Sequence, residues 1–297
     1  MYSELAHAMA HIIPPRKKTW IDLRPPTNSC IFCGESPTTR EHIWPHWSHK
    51  YLPTDQNFHW AVLAIELLDQ SYVRVMKRNG DQHHRQIKAV CKGCNGGWMR
   101  EVIEDTATPV LTRLFTGSEN PTRITEREQG LIARWIALRA IVSEYDDGAP
   151  RITHHKQRKM LYRRHAISDT TWRIWIANHE NRQSAMQWQE HPFLVLPTHV
   201  ADRKKSRVAT YVNSQVLTYV IGKLLIHVMH CPNPVTLRLW QFPPQVSGKM
   251  RRIWPPTSLS IVWPPPALTD EEAGILGVAF KRFMSNISRA RAGLETF

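Results

Sequence analysis

Two cysteine pairs, Cys30-Ile31-Phe32-Cys33 and Cys91-Lys92-Gly93-Cys94, constrain this chain more than any other feature in it. Each has the two-residue spacing that lets neighbouring thiolates in a tight turn grip one tetrahedral ion. One such pair could serve redox chemistry, but two read best as a single structural Zn2+ site closed across a long excursion of chain. Four of the five cysteines are thereby accounted for. The consequence is topological. The chain near Cys33 must lie beside the chain near Cys94, which makes neighbours of Glu41, His42 and Asn95 although more than fifty residues separate His42 from Asn95.

A chain of 297 residues can bury a full core without disulfides and, at roughly 100 to 200 residues per domain, forms one large domain or two smaller ones. The opening "MYSELAHAMAHIIPPRKK" interrupts its apolar residues with Glu4, His7 and His11, which is not the order of a signal peptide. No stretch reaches the run of about 18 apolar residues that a membrane helix needs. These features point to the cytoplasm and away from membranes, where thiols stay reduced and clustered cysteines bind metal. A formal net charge of +14 favours polyanionic partners, nucleic acid first. The excess is uneven: residues 1–105 carry 13 Lys and Arg against 11 Asp and Glu, so the positive charge belongs to the remaining two thirds.

That asymmetry suggests a division at about residue 105, with a zinc-binding module over 1–105 and a helical, then β-rich basic region over 106–297. Within the first part, the alternation Tyr72 to Val75, the Asn79-Gly80 turn signal and the run Ile87 to Val90 predict a hairpin. A helix begins near Asn95 or Trp98. Thr125 and Glu128 form a capping box before Leu131, Ile132, Trp135, Leu138 and Val142, which recur at helical spacing. A shorter helix covers Thr153 to His165. From Trp172 onward, "TWRIWIAN", "PFLVLP", "RVATYVN" and "VLTYVIGKLLIHVMH" read as strands of an antiparallel sheet. Thr269 with Glu272 caps a last helix to about Arg289.

Hydrolysis of a phosphodiester needs a base to take a proton from water, a divalent cation to stabilise charge on the phosphate, and ligands for that cation. Glu41 and Asn95 offer hard oxygen donors suited to Mg2+ or Mn2+, and His42 a base that is neutral near pH 7. "CIFCG", "EHIWP" and "VCKGCN" together resemble the zinc-stabilised branch of the HNH, or ββα-metal, nucleases over about residues 30 to 105. The resemblance implies an α+β fold with a ββα-metal module. It makes Glu41 the first metal ligand, His42 the general base, Asn95 the last ligand, and Cys30, Cys33, Cys91 and Cys94 the zinc ligands. It also implies an endonuclease acting on nucleic acid, DNA before RNA. The "CNGGWM" run is similar to a bacterial and phage subset of these proteins.

The chain departs from the family pattern in three places. Glu41 stands where Asp is commoner. The usual middle Asn is missing, with His84 or Gln86 near enough to serve. Trp98 and Met99 replace a customary Lys, leaving Arg100 as the nearest cation. Glu104, nine residues past Asn95, reads as an ion-pair partner for Arg100. A helix from Pro45 would put His46 and His49 on one face, where they read as solvated, and Cys231 reads as a lone buried thiol.

The basic clusters are Lys156, Arg158, Lys159, Arg163 and Arg164 in one helix, Arg203, Lys204 and Lys205, and Arg251 with Arg252. Together they form a candidate phosphate-contacting surface. Cutting both strands of a duplex with one-metal sites would call for a homodimer or a protein partner. The other function class that fits is a catalytically inactive zinc protein that binds nucleic acid or another protein, in phage biology or bacterial defence.

Overall fold

The computed structural model describes residues 28–51, 58–66, 71–79, 85–117, 120–146, 151–180, 188–193 and 214–292. It is a mixture of helices and strands, an α+β architecture, as the sequence implies. Arg203, Lys204, Lys205, His84 and the strand expected at "RVATYVN" lie outside the described residues.

Strand β1 (Thr38–His42) pairs antiparallel with β4 (Gln86–Cys91), setting Thr38 opposite Cys91 and His42 opposite Gln86. The intervening strands β2 (Phe58–Glu66) and β3 (Ser71–Asn79) pair with each other. The hairpin expected between Tyr72 to Val75 and Ile87 to Val90 is therefore not formed: its two halves belong to different sheets. Sequence proximity loses here to the two cysteine turns. These sit just before β1 and at the end of β4, and they meet only if β1 and β4 lie side by side.

After β4 the chain makes one turn, Lys92–Cys94, then a π-helical segment, Asn95–Glu104, with a non-helical backbone at Gly97. It continues directly into α1 (Asp105–Thr116). A boundary drawn at residue 105 thus falls inside one helical run. Strand β5 (Thr122–Thr125) leads into α2 (Glu126–Ser143), whose capping box is complete: Glu128 Oε2 accepts from Thr125 N at 2.8 Å, and Thr125 Oγ1 accepts from Glu128 N at 3.3 Å. Helix α3 (His155–Arg164) ends at His165, which adopts the left-handed conformation common at helix ends.

The large sheet has seven strands in the order β10-β6-β9-β8-β7-β2-β3. It combines β6 (Trp172–Asn178), β7 (Trp188–Phe193), β8 (Ser214–Ile221), β9 (Leu224–His230) and β10 (Arg251–Trp254) with the β2–β3 pair. The sequence pattern predicts an antiparallel sheet confined to the C-terminal part. The sheet instead takes two strands from the first 105 residues and joins them through a parallel β2–β7 contact. The β8–β9 turn needs its glycine: Gly222 has φ +55, and a Cβ there would stand 2.2 Å from the Phe115 carbonyl oxygen, which accepts from Lys223 N at 2.8 Å.

Beyond the sheet lie α4 (Pro234–Leu239), α5 (Pro244–Ser247) and β11 (Ser260–Trp263), which pairs with β5. Helix α6 (Asp270–Ala292) follows, with Thr269 and Glu272 bonded as a reciprocal cap.

One apolar core runs from Cys30 and Phe32 through α1 and α2 to Trp263. Helix α2 is its axis. Residues Ile132, Ala133, Trp135 to Leu138 and Val142 have no exposure, and the polar Gln129 and Arg139 are equally enclosed. Such a helix is buried on all sides rather than amphipathic. The short 3-10 turn His46–Tyr51, which follows β1, docks on this axis: Trp47 stacks on Phe115 at 5.7 Å and contacts Trp135 at 6.0 Å. A second cluster packs Trp240, Phe242, Phe280 and Phe283 against β8 and β9.

Candidate metal centre and the acid-histidine strand

The four sulfurs of Cys30, Cys33, Cys91 and Cys94 all lie within 4.8 Å of one another, and Cys33 Sγ is 3.5 Å from Cys91 Sγ. A tetrahedral zinc with bonds of about 2.3 Å sets its sulfurs about 3.8 Å apart, so the cluster has the right size. Its frame is made by backbone. Cys30 N donates to Glu35 O at 2.8 Å, Gly34 N to Cys30 O at 2.9 Å, and Ile31 N to Ala89 O at 3.0 Å. Gly34 has φ +90, a conformation that disfavours any side chain. The amides of Glu35 and Cys94 approach Cys33 and Cys91 sulfur at 3.4 Å, as donors to thiolates do. Burial pushes the Cys94 thiol strongly up and the Cys33 thiol up as well. A divalent cation reverses that preference, because coordination deprotonates a thiol outright. The donor set thus fits one structural Zn2+. Among the described residues no other group of three or more His, Cys, Asp or Glu side chains converges in this way.

On β1, Glu41 and His42 project to opposite sides of the strand. Glu41 is buried at 6% exposure, while His42 is half-buried. Gln86, opposite on β4, brings its side-chain nitrogen to 2.7 Å from His42 Nε2. Gln86 is one of the two residues near enough in sequence to replace the missing middle Asn; the other, His84, lies outside the described residues. His49 stacks edge-on to His42 at 5.7 Å and lies 5.1 Å from His46, while its Nε2 is 3.0 Å from the Trp44 carbonyl oxygen.

Glu41 meets a residue that the motif does not contain. Arg139, 1% exposed in the middle of α2, brings Nη1 to 3.2 Å from Glu41 Oε1, 3.1 Å from His42 O and 3.3 Å from Ile43 O. Its Nη2 is 2.8 Å from Glu104 Oε1, an ion pair without the alignment of a hydrogen bond. Glu104 thus pairs with Arg139, not with Arg100 as its sequence position suggests. Burial raises the Glu104 pKa, Arg139 opposes that, and Glu41 adds to it. The sequence signal for Arg139 was present: it lies four residues past Trp135 and seven past Ile132, on the face those residues bury.

Asn95 starts the π-helical segment one residue after the cysteine cluster and is half-buried. Its backbone N–H bonds Lys92 O, and among the described residues its side chain makes no hydrogen bond, to Glu41 or His42 or any other group. Trp98 and Met99 are packing residues. Met99 is fully buried, and Trp98 sits between Phe32 of the first cysteine turn at 5.1 Å and, at 5.8 Å, Tyr162 of α3 and His165 that caps it.

Helix α3 is thereby fixed beside the cysteine cluster. Its Arg158 turns inward, donating through Nε to Ile31 O at 3.2 Å and through Nη1 to Thr153 O. Lys156, Lys159, Arg163 and Arg164 stay exposed, the first three at i, i+3 and i+7 on one face, and the helix holds no acidic residue. Arg100 is exposed on the segment after Asn95. Among the described residues no helix is long and apolar enough to cross a membrane. No protein-family model matches the sequence, and neither a curated protein nor a solved structure matches the chain.

Proposed function

We propose that the protein is a metal-dependent endonuclease of the zinc-stabilised HNH kind, acting on nucleic acid, DNA before RNA. The single observation that carries this reading is the four-cysteine cluster that joins the start of β1 to the end of β4, since it sets a strand bearing Glu41-His42 in one module with the helical segment that opens on Asn95. His42 is half-buried with the Gln86 side-chain amide 2.7 Å from its Nε2; turned so that its oxygen accepts from Nε2–H, that amide sets the tautomer in which Nδ1 is the base. In this reaction His42 takes the proton of a water. The water oxygen forms a bond to phosphorus, and the bond from phosphorus to one bridging oxygen breaks.

Glu41 and Asn95 each offer a hard oxygen donor of the kind Mg2+ or Mn2+ takes. One Glu41 oxygen is taken by Arg139, while Oε2 makes no hydrogen bond or ion pair among the described residues, as is also true of the Asn95 amide. These two groups would hold Mg2+ or Mn2+, which supplies stabilisation of the negative charge that develops on the phosphate and the leaving oxygen. The exposed cations of α3, with Arg100, would neutralise flanking phosphates.

The test is nicking of supercoiled plasmid with Mg2+, Mn2+ or EDTA. Cleavage that needs the divalent ion and disappears in His42→Ala, with zinc content and DNA binding intact, supports the reading. Wild-type cutting by His42→Ala would remove His42 from the mechanism.

A second reading is favoured by one observation: Glu41 is tied into a buried ion pair, as a purely structural carboxylate would be. The protein would then be a zinc-braced nucleic-acid-binding module without cleavage. It would show salt-dependent DNA affinity and no nicking under any divalent ion.

A further inference from the structure

We propose that Arg139 is a positioning residue for the nuclease site, acting from outside the motif on both elements that carry it; this rests on the endonuclease reading above. Arg139 is 98 residues from Glu41 in sequence and sits on α2, which carries none of the proposed catalytic groups. One guanidinium nevertheless reaches both halves of the site. Nη1 touches Glu41 Oε1 and the backbone carbonyls of His42 and Ile43, fixing the strand that bears the ligand and the base. Nη2 pairs with Glu104, the last residue of the π-helical segment that begins at Asn95. Asn95 makes no hydrogen bond to Glu41 or His42 among the described residues, while Arg139 pairs with a carboxylate on each element and so is a charged link between them.

Stability alone does not account for this residue. Buried ion pairs are commonly replaceable by apolar side chains without loss of stability, and Arg139 Nε has no hydrogen-bond partner among the described residues. A carboxylate that binds a cation, by contrast, is regularly held by a second group on its other oxygen, and the loss of that group lowers metal affinity by about 10 to 100-fold. Glu41, with Oε1 on Arg139 and Oε2 without a partner among the described residues, has that form. A planar fork can serve three oxygens and a second carboxylate at once, which the single ammonium of lysine cannot.

The experiment uses the full-length, zinc-loaded protein and compares wild type, His42→Ala, Arg139→Lys and Glu104→Gln. Zinc content and thermal midpoint report folding. Mn2+ affinity is read by electron paramagnetic resonance titration, and nicking rates on plasmid give kcat and KM. In Arg139→Lys the Mn2+ affinity is expected to fall about 10 to 100-fold and kcat at least about tenfold, with KM for DNA and zinc content unchanged. Glu104→Gln, which frees one arm of the guanidinium and leaves Glu41 held, is expected to lower kcat by less and to spare Mn2+ affinity. If Arg139→Lys and Glu104→Gln both keep wild-type Mn2+ affinity and kcat, or lose activity only in proportion to folded fraction, Arg139 is structural and the proposal is overturned. A wild type that neither nicks DNA with any divalent ion nor binds Mn2+ overturns the nuclease reading and the positioning role together.

Discussion

The cysteine-braced strands and the large sheet are held by different physics. Around β1 and β4 the contacts that fix geometry are polar and few: four sulfurs within 4.8 Å, a buried guanidinium between two carboxylates, and an amide on an imidazole. In β8, β9 and the aromatic cluster beyond them, every residue of both strands is buried, and rings from Trp240, Phe242, Phe280 and Phe283 meet at 5.2 to 6.3 Å. Apolar burial is spread over many side chains, so no one of them decides the fold. Convergent sulfurs and buried charge concentrate the decision in a handful of atoms.

The largest test of this contrast is removal of the metal. Structural zinc contributes about 10 to 16 kcal/mol to small sites, far more than any single side chain here. Chelation, or Cys94→Ser, is expected to abolish zinc binding at one ion per chain and to raise amide exchange at least a hundredfold over residues 28–51 and 85–104. Exchange in β8 and β9 is expected to stay slow. Equal loss of protection in both places would show that the shared core makes them one cooperative unit and would break the contrast. Next in size is Trp240→Ala, a large-to-small change at a 7% exposed site, expected to cost about 3 to 5 kcal/mol in urea unfolding while leaving zinc content unchanged.

The two regions were also unequally legible in the sequence. The cysteine spacing revealed the four-sulfur cluster, and the Thr125 and Glu128 pair revealed the start of α2, because both are local patterns with one physical solution. The strand pairing was not legible. Asn79-Gly80 is a sound local signal for a hairpin, yet β3 pairs with β2 and β4 with β1, since closing the cysteine site outweighs one turn preference. Arg139 was missed for a related reason. Its spacing from Ile132 and Trp135 marks the buried face of α2, but its partners Glu41 and Glu104 come from elements distant in sequence, and nothing local names them. Glu144, wholly enclosed and bonded by the amides of Ile152 and Thr153 and by Gln215, escaped notice in the same way.

A third, smaller effect should appear in acid. His230 on β9 is buried, 3.1 Å from Gln157 Oε1, which also accepts from Trp172 Nε1 at 2.7 Å. Burial pushes its pKa down to about 3. The unfolded chain protonates this imidazole near its ordinary value and the folded chain resists, so stability contributed by His230 is present above about pH 6.5 and is lost as pH falls toward 3. Urea midpoints measured from pH 7 to about pH 4 are expected to fall less steeply in His230→Gln than in wild type. An unchanged slope would assign the acid sensitivity to another group.

The smallest effect sharpens the contrast most, because it sets two arginine-paired glutamates against each other. At the mouth of α2, burial acts to raise the pKa of Glu128, but hydrogen bonds from Thr125 and Arg113 outweigh it, and the net shift is downward. Beside the candidate site, burial dominates at Glu104 despite Arg139, and the shift is upward. The signs of their contributions follow. Glu128 adds stability above the usual glutamate pKa and loses it as pH falls through its lowered folded value. Glu104 favours the folded state at pH values below the usual glutamate pKa and loses that contribution as pH rises through its raised folded value. Between about pH 3 and 7, Glu128→Gln is therefore expected to flatten the rise of stability with pH, and Glu104→Gln to steepen it, each on top of a constant loss from the broken pair. The exposed cap is worth about 1 kcal/mol at most, so differences in urea midpoint within each variant, not absolute values, are the quantity to compare. Slopes that change in the same direction would mean that solvent screens the buried guanidinium as fully as the surface one, and the distinction between the two regions would reduce to the metal alone.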